Sequence, residues 1–270
     1  MPSYTLCADD FALSRGISET IADLAERRCI NAVSCMASLP GWTEDAALIA
    51  PLAVPESGVQ IGLHLVLSDE LPLTRLSLQD SRGRLPSPDR MMALSYLGKL
   101  DAIELADEID AQIVAFIERI GRPPDFVDAH QHVHVHPGVR ALVIAATRRH
   151  APHAWIRNPA DALRSMAQRP FAGKALGSAF HALGLRRQIA RAGLSTNVGF
   201  GGHYDFRGGY EQLLPRFFAA SGPRHLVMCH PGAGHLAGDA IADARIAEAA
   251  VLRRQPLQAR LQSWGIDHTP

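Results

Sequence analysis

The chain has 270 residues, 47% hydrophobic and 20% charged, with 27 Lys+Arg set against 27 Asp+Glu. That is enough apolar material for a sizeable core, and the balanced charge leaves no basic excess to attract nucleic acid or an anionic membrane, so a small or neutral substrate is expected. Cys7, Cys29, Cys35 and Cys229 lie far apart with no Cys-x-x-Cys pair, which argues against a disulfide framework and a thiolate zinc site. Met1-Pro2-Ser3 runs into an apparent strand without a basic and apolar leader, and no apolar run reaches the roughly 18 residues of a membrane span. A cytoplasmic protein with reduced thiols is the expectation.

Residues 4–8 read as a buried strand ending at Asp9 and Asp10, and Ser14 is placed to cap a helix with Ile17, Ile21, Leu24 and Ala25 at helical spacing. Residues 30–38, where Val33, Cys35 and Ala37 alternate with Ser34 and Met36, predict a second strand, and residues 43–50 a second helix. A third strand at 59–63 ends at His64. An insertion follows over about 66–100, irregular through about residue 88 and rich in Pro, Ser, Asp and Arg; such loops are commonly lids or binding loops. Asp101 opens the clearest helix, with Ile103, Ala106, Ile109, Ile113, Phe116, Ile117 and Ile120 in one apolar stripe and Gly121 with Pro123-Pro124 as its stop.

Residues 125–129 predict a strand leading into His130, and residues 154–156 another ending at Arg157. Helical pieces without clear boundaries fill 164–193. Residues 196–209 hold five glycines with Phe200, Tyr204 and Phe206, which suits a loop packed against a ligand. A late strand at 225–229 ends at His230-Pro231-Gly232, and residues 241–262 predict a closing helix. With no repeat, one domain over 1–270 is expected. Alternating strands and helices call for a parallel sheet, closed as a barrel or open and doubly wound.

His130, His132, His134 and His136 stand at every second position, so they would share one face if the segment stayed extended. Pro137-Gly138 stops the run, and Val139, Leu142, Val143 and Ala146 then recur at helical spacing, placing the histidines across a strand end and the loop entering a helix. The carboxyl ends of five predicted strands thus carry Asp9/Asp10, His64, His130, Arg157 and His230. In a (β/α) barrel those ends share the functional face, which favours the barrel over the open sheet. One carboxylate and two imidazoles suit a divalent metal with open positions, a role that Asp10, His64 and His130 can fill. Asp9 would lie beside the metal as a general base. Adjacent residues on a strand point opposite ways, so both aspartates reach one centre only if the chain turns there. Arg157 could orient Asp9, contact a substrate oxygen or pair with an exposed acid; His230 could be structural or functional.

At Ala8-Asp9-Asp10-Phe11, Gly62-Leu63-His64-Leu65, Asp128-Ala129-His130-Gln131-His132-Val133-His134 and Met228-Cys229-His230-Pro231-Gly232 the sequence resembles the YdjC/ChbG family of carbohydrate deacetylases, a pattern shared by the related HpnK proteins. The four motifs occur in family order. The resemblance implies an irregular (β/α) barrel of the polysaccharide-deacetylase-like type and a divalent-metal hydrolase that removes acetyl groups from N-acetylated sugars such as chitooligosaccharides. It further implies Asp10, His64 and His130 as metal ligands, Asp9 as base and His230 as acid or transition-state stabiliser. Two positions depart from it: Ala12 stands where the family commonly has Gly, and Gln131 where His or Lys is frequent.

On this reading His132, His134, Tyr204, Phe206 and Trp42 are candidate substrate contacts, the aromatics by stacking on a sugar ring. The metal is left open between zinc, magnesium and manganese, and the oligomeric state is undetermined, a homodimer being one option. The rival readings are an amidohydrolase acting on another amide and a metal- or sugar-binding protein without turnover.

Overall fold

Strand and helix alternate along the chain in the computed structural model, which describes residues 3–219 and 221–266. Eight strands, β1 (Tyr4–Phe11), β2 (Ala32–Cys35), β3 (Gln60–Leu65), β4 (Phe126–Ala129), β5 (Trp155–Ile156), β6 (Ser195–Thr196), β7 (Gly199–Gly201) and β8 (His225–Cys229), form one sheet in the order β6-β5-β4-β3-β2-β1-β8-β7. Every pairing is parallel. This is the winding of a (β/α) barrel, as the sequence predicted. The strands are buried on both faces, so even the polar residues that interrupt them, Thr5, Asp9 and Asp10 in β1, Ser34 in β2 and Asp128 in β4, are withdrawn from solvent.

The barrel is irregular at one place. β6 pairs with β5 and β7 with β8, and only Asn197 and Val198 separate them, so the two edges are joined through the covalent chain. The buried Asn197 carboxamide stitches this crossing, accepting from the Asn158 amide at 2.7 Å and donating to the carbonyls of Asn158 and Gly199. Beyond it, Gly202 takes φ +106° with a virtual Cβ 2.4 Å from the Met228 carbonyl, so only glycine lets β7 lie this close to β8. The expected ligand loop at 196–209 therefore begins as a short strand.

Among the described residues there are eleven α-helices: α1 (Arg15–Glu26), α2 (Trp42–Ile49), α3 (Pro88–Tyr96), α4 (Ala102–Ile120), α5 (Val139–His150), α6 (Leu163–Ala167), α7 (Ala172–His181), α8 (Leu185–Arg191), α9 (Tyr210–Phe217), α10 (Ala242–Leu252) and α11 (Leu257–Ser263). Ser14 caps α1 as predicted, and Ile17, Ile21, Leu24 and Ala25 are buried. Asp101 caps α4 by accepting from the Ile103 and Glu104 amides, and Gly121 ends it at φ +81°. Ile103 is a correction: it is 74% exposed, because Leu105 takes the inward position in that first turn. The inward face of α4 also holds Glu108 and Gln112, fully buried. They anchor the 66–100 insertion, Glu108 accepting from the Leu73 and Thr74 amides and Gln112 bonding both backbone groups of Val66. The predicted closing helix is likewise corrected to two, α10 and α11, with Pro256 at the break, where its missing N–H and ring forbid a continuous helix.

At the end of β1 the register slips between Ala8 and Phe11. Asp10 has φ +68° and Ala12 φ +78°, the left-handed region that favours glycine. Ala12 is the residue that departs from the resembled pattern, and its methyl group carries the strain. Ala12→Gly is expected to stabilise the fold by about 1 kcal/mol, read as a rise of roughly 2–4 °C in Tm; an unchanged or lower Tm would show that no strain is stored there.

Candidate metal centre and its cleft

The kink in β1 carries out the turn that the paired aspartates require. Both Asp9 and Asp10 line a cleft of about 840 Å³ at the carboxyl ends of the strands, together with His64, His130, His132, Tyr204, Phe206 and His230. Asp10 from β1, His64 from β3 and His130 just beyond β4 each offer one donor atom, all within 4.8 Å of one another. His64 Nε2 and His130 Nδ1 lie 3.4 and 3.1 Å from the same oxygen, Asp10 Oδ1.

The surroundings prepare these atoms to hold a cation. Asp10 Oδ2 is taken by Arg245 Nη2 at 2.7 Å, which leaves Oδ1 for the centre. His64 Nδ1 donates to Asp128 Oδ1 at 2.6 Å, so Nε2 is the nitrogen presented; a carboxylate behind a ligating imidazole fixes its tautomer and raises its basicity. Ser34 Oγ donates to the same Asp128 oxygen at 2.6 Å. Burial alone would lower the His64 pKa, but Asp128 and Asp10 raise it to about 10. Burial would also push the Asp10 carboxyl up, yet Arg245 and His130 hold it well below the usual carboxylate range. The site therefore stabilises positive charge at His64 Nε2, a requirement that a divalent ion meets as well as a proton does. The donor set and its support fit a metal.

Asp9 stands behind this centre. Arg157, fully buried, grips both its oxygens, Nη1 to Oδ2 at 2.6 Å and Nη2 to Oδ1 at 2.7 Å. Arg157 Nη2 also reaches Asp128 Oδ2 at 2.5 Å. One guanidinium thus compensates two buried carboxylates. A second close cluster, Cys7, Asp9 and Asp128, is already occupied by that guanidinium, and burial keeps the Cys7 thiol protonated. Of the three roles open to Arg157, its position favours orienting Asp9: it grips both Asp9 oxygens, is fully buried, and is absent from the cleft lining.

The histidine run does not share a face. Gln131 and His132 adopt φ +54° and +57° in succession, which reverses the chain immediately after His130 and fans the rings apart. His130 joins the metal cluster, and His132 lies on the cleft wall against Phe200, with ring centroids 5.5 Å apart. His134 is a correction: it is fully buried beneath the cleft, its Nε2 donating to the Arg157 carbonyl at 2.8 Å, where burial lowers its pKa to about 4. It bonds the backbone of Arg157 and is absent from the cleft lining. Trp42 is a second correction. It stacks on Phe116 at 5.7 Å and donates Nε1 to the Ala115 carbonyl, as a core residue of α2 rather than a sugar platform.

Tyr204 and Phe206 do form a wall of the cleft, 4.5 Å apart, with Phe206 edge-on to His230 at 5.4 Å. The Tyr204 hydroxyl donates to Glu248 of α10, and the His230 amide donates to the other Glu248 oxygen at 2.5 Å. Burial raises the Glu248 pKa to about 7. Burial also lowers the pKa of His230, whose Nδ1 is buried without a partner. Sequence reasoning missed Arg245 and Glu248, which sit on a helix without local signal. Asp128 fell inside a quoted motif, but only the pairing of β3 beside β4 brings it against His64.

An eight-stranded parallel (β/α) barrel with an Asp-His-His cluster at its strand ends is a protein built around a candidate metal site. The YdjC-like protein family model matches residues 4–263, and the chain belongs to that family. Curated chitooligosaccharide deacetylases from Yersinia pestis (strain Pestoides F) and Yersinia pseudotuberculosis serotype O:1b (strain IP 31758) are each 32% identical to it over 142 residues, covering 52% of this chain and 54% of theirs. The chain thus spans about half the length of the curated relatives it matches. A solved Enterococcus faecalis V583 structure, named for cellobiose-phosphate cleavage, shares the fold with a TM-score of 0.72 and 21% identity over 97% of this chain and 95% of that one.

Proposed function

We propose that the chain is a metal-dependent carbohydrate N-deacetylase that removes acetyl groups from N-acetylated sugars or short chitooligosaccharides, with residues 1–270 working as one catalytic domain. The observation that carries this reading is the convergence of the Asp10, His64 and His130 donor atoms within 4.8 Å in a cleft that also presents Asp9. The resemblance to the Yersinia chitooligosaccharide deacetylases supports the choice of substrate.

Asp10, His64 and His130 would hold the ion. A bound divalent metal supplies Lewis-acid polarisation of the acetamide carbonyl and a nucleophile at neutral pH. Asp9 takes the proton of the attacking water: Arg157 occupies one lone-pair direction on each oxygen and the Cys7 thiol donates to Oδ1, which leaves a direction on Oδ2 available to accept. His230 gives a proton to the departing amine, and the burial that lowers its pKa makes its protonated form the stronger donor. Tyr204 and Phe206 offer an aromatic wall to the sugar ring, and His132 a polar edge beside it.

The reading is tested by acetate release from N-acetylglucosamine oligomers, with the metal content of the purified protein measured in parallel. Dialysis against a chelator is expected to reduce release to background, and adding back zinc, magnesium or manganese singly to restore it and identify the ion. Metal-loaded protein that frees no acetate from any N-acetyl sugar would overturn the assignment.

A further inference from the structure

The net charge of zero hides a local asymmetry. Between Asp161 and Asp205 there is no acidic residue, while Arg164, Arg169, Lys174, Arg186, Arg187 and Arg191 all fall inside that stretch. Arg169 is buried and bonded to Asp161, but the other five are exposed. The same stretch carries α7, whose Leu176 and Phe180 stand one turn apart, with Leu183 on the next turn just past the helix end. These three side chains are 45%, 62% and 65% exposed, although apolar groups of this size are ordinarily scattered singly on a surface. The opposite side of α7 faces inward: Ala175 is buried, and Lys174 and Ser178 line the catalytic cleft. One helix therefore borders the cleft with one side and presents an apolar ridge with the other, and the cations lie on the segments before and after it, Arg164 in α6 and Arg186, Arg187 and Arg191 in α8, where Arg186 lines a hollow together with Leu183.

We propose that this ridge docks the protein on an anionic phospholipid surface, Leu176, Phe180 and Leu183 entering the headgroup boundary and Arg164, Arg187 and Arg191 meeting the lipid phosphates, while Arg186 donates to the Val198 carbonyl. An apolar helix face with basic residues on the segments next to it is the composition that partitions into the membrane interface without crossing it. None of the described helices is long and apolar enough to span a bilayer, so the contact is peripheral. Charge selects this occupant over a second copy of the chain, since a two-fold dimer through the ridge would bring like-charged arginine clusters together. Docking would hold the cleft mouth beside the bilayer.

The test is flotation of the full-length protein with vesicles of phosphatidylcholine alone or mixed with phosphatidylglycerol. Binding is expected only to the mixed vesicles and is expected to weaken with added salt. Arg187→Gln and Arg191→Gln should each weaken it by about fivefold, and Phe180→Ser with Leu183→Ser should abolish it. None of these residues belongs to the cleft, so acetate release from a dissolved substrate should stay unchanged, and failure of the deacetylase reading would leave the flotation result standing. Absence of binding to mixed vesicles, or binding indifferent to these substitutions, would overturn the proposal. So would a concentration-dependent dimer, seen by sedimentation without vesicle binding and lost in the Phe180→Ser/Leu183→Ser variant.

Discussion

Replacing Asp9 by Asn is expected to cut acetate release by about 10²-fold or more while leaving the metal content of the protein unchanged. The separation follows from the geometry. Asp10, His64 and His130 supply the three donor atoms of the cluster, whereas both oxygens of Asp9 are directed by Arg157. Removing the acceptor of the water proton leaves the cation in place but makes its nucleophile harder to form. Asp10→Asn should behave differently, losing metal and activity together, because it weakens a ligand and leaves Arg245 facing a neutral amide. Full activity in the Asp9 variant would remove this residue from the base role; loss of metal in that variant would move it into the ligand set.

The second large effect concerns stability. Arg157→Met is expected to destabilise the fold by about 3–5 kcal/mol, a fall of roughly 10 °C in Tm. The guanidinium is fully buried and compensates Asp9 and Asp128, which are 2% and 0% exposed. Without it Asp9 keeps no counter-charge in contact, and Asp128 keeps only His64. The cost should be partly recovered in the double variant Arg157→Met/Asp9→Asn, where one of the stranded charges is gone. Arg157→Lys should fall between wild type and Arg157→Met, since an ammonium keeps the charge but not the planar fork that grips both Asp9 oxygens. Thermal and urea denaturation measure all three. A Tm for Arg157→Met close to that of wild type would mean that the two carboxylates find protons or water at little cost.

Much of the architecture was legible in the sequence because local chemistry dictates it. Apolar runs closed by polar residues marked β1, β3, β4, β5 and β8, and Ser14 and Asp101 marked the starts of two helices by the same hydrogen bonds they make in the fold. The position of Asp9, Asp10, His64 and His130 at strand ends was equally readable, since parallel barrels put those ends on one face. The errors share one physical source, which is that periodicity says how a side chain could point and not what it meets. Trp42 stands in the sequence as a candidate for stacking on a sugar ring, and only α4 laid against it decides that it packs on Phe116 instead. The histidines at 130–136 alternated as a strand would, and two left-handed residues in succession, unannounced by any glycine, sent them in separate directions.

The amino-acid order by itself determined the parallel barrel and the polar strand ends, because each is a property of a short segment read with its neighbours along the chain, and the four motifs of the resembled family singled out Asp10, His64 and His130 as a set. Only the tertiary structure decided that Arg157 works from behind Asp9 and that Asp128 fixes the tautomer of His64. It alone placed Arg245 on Oδ2 of Asp10 and laid one side of α7 on the cleft with Leu176 and Phe180 outward. Those contacts join residues between 64 and 235 positions apart, and no local pattern encodes the partner of a charge at such a distance.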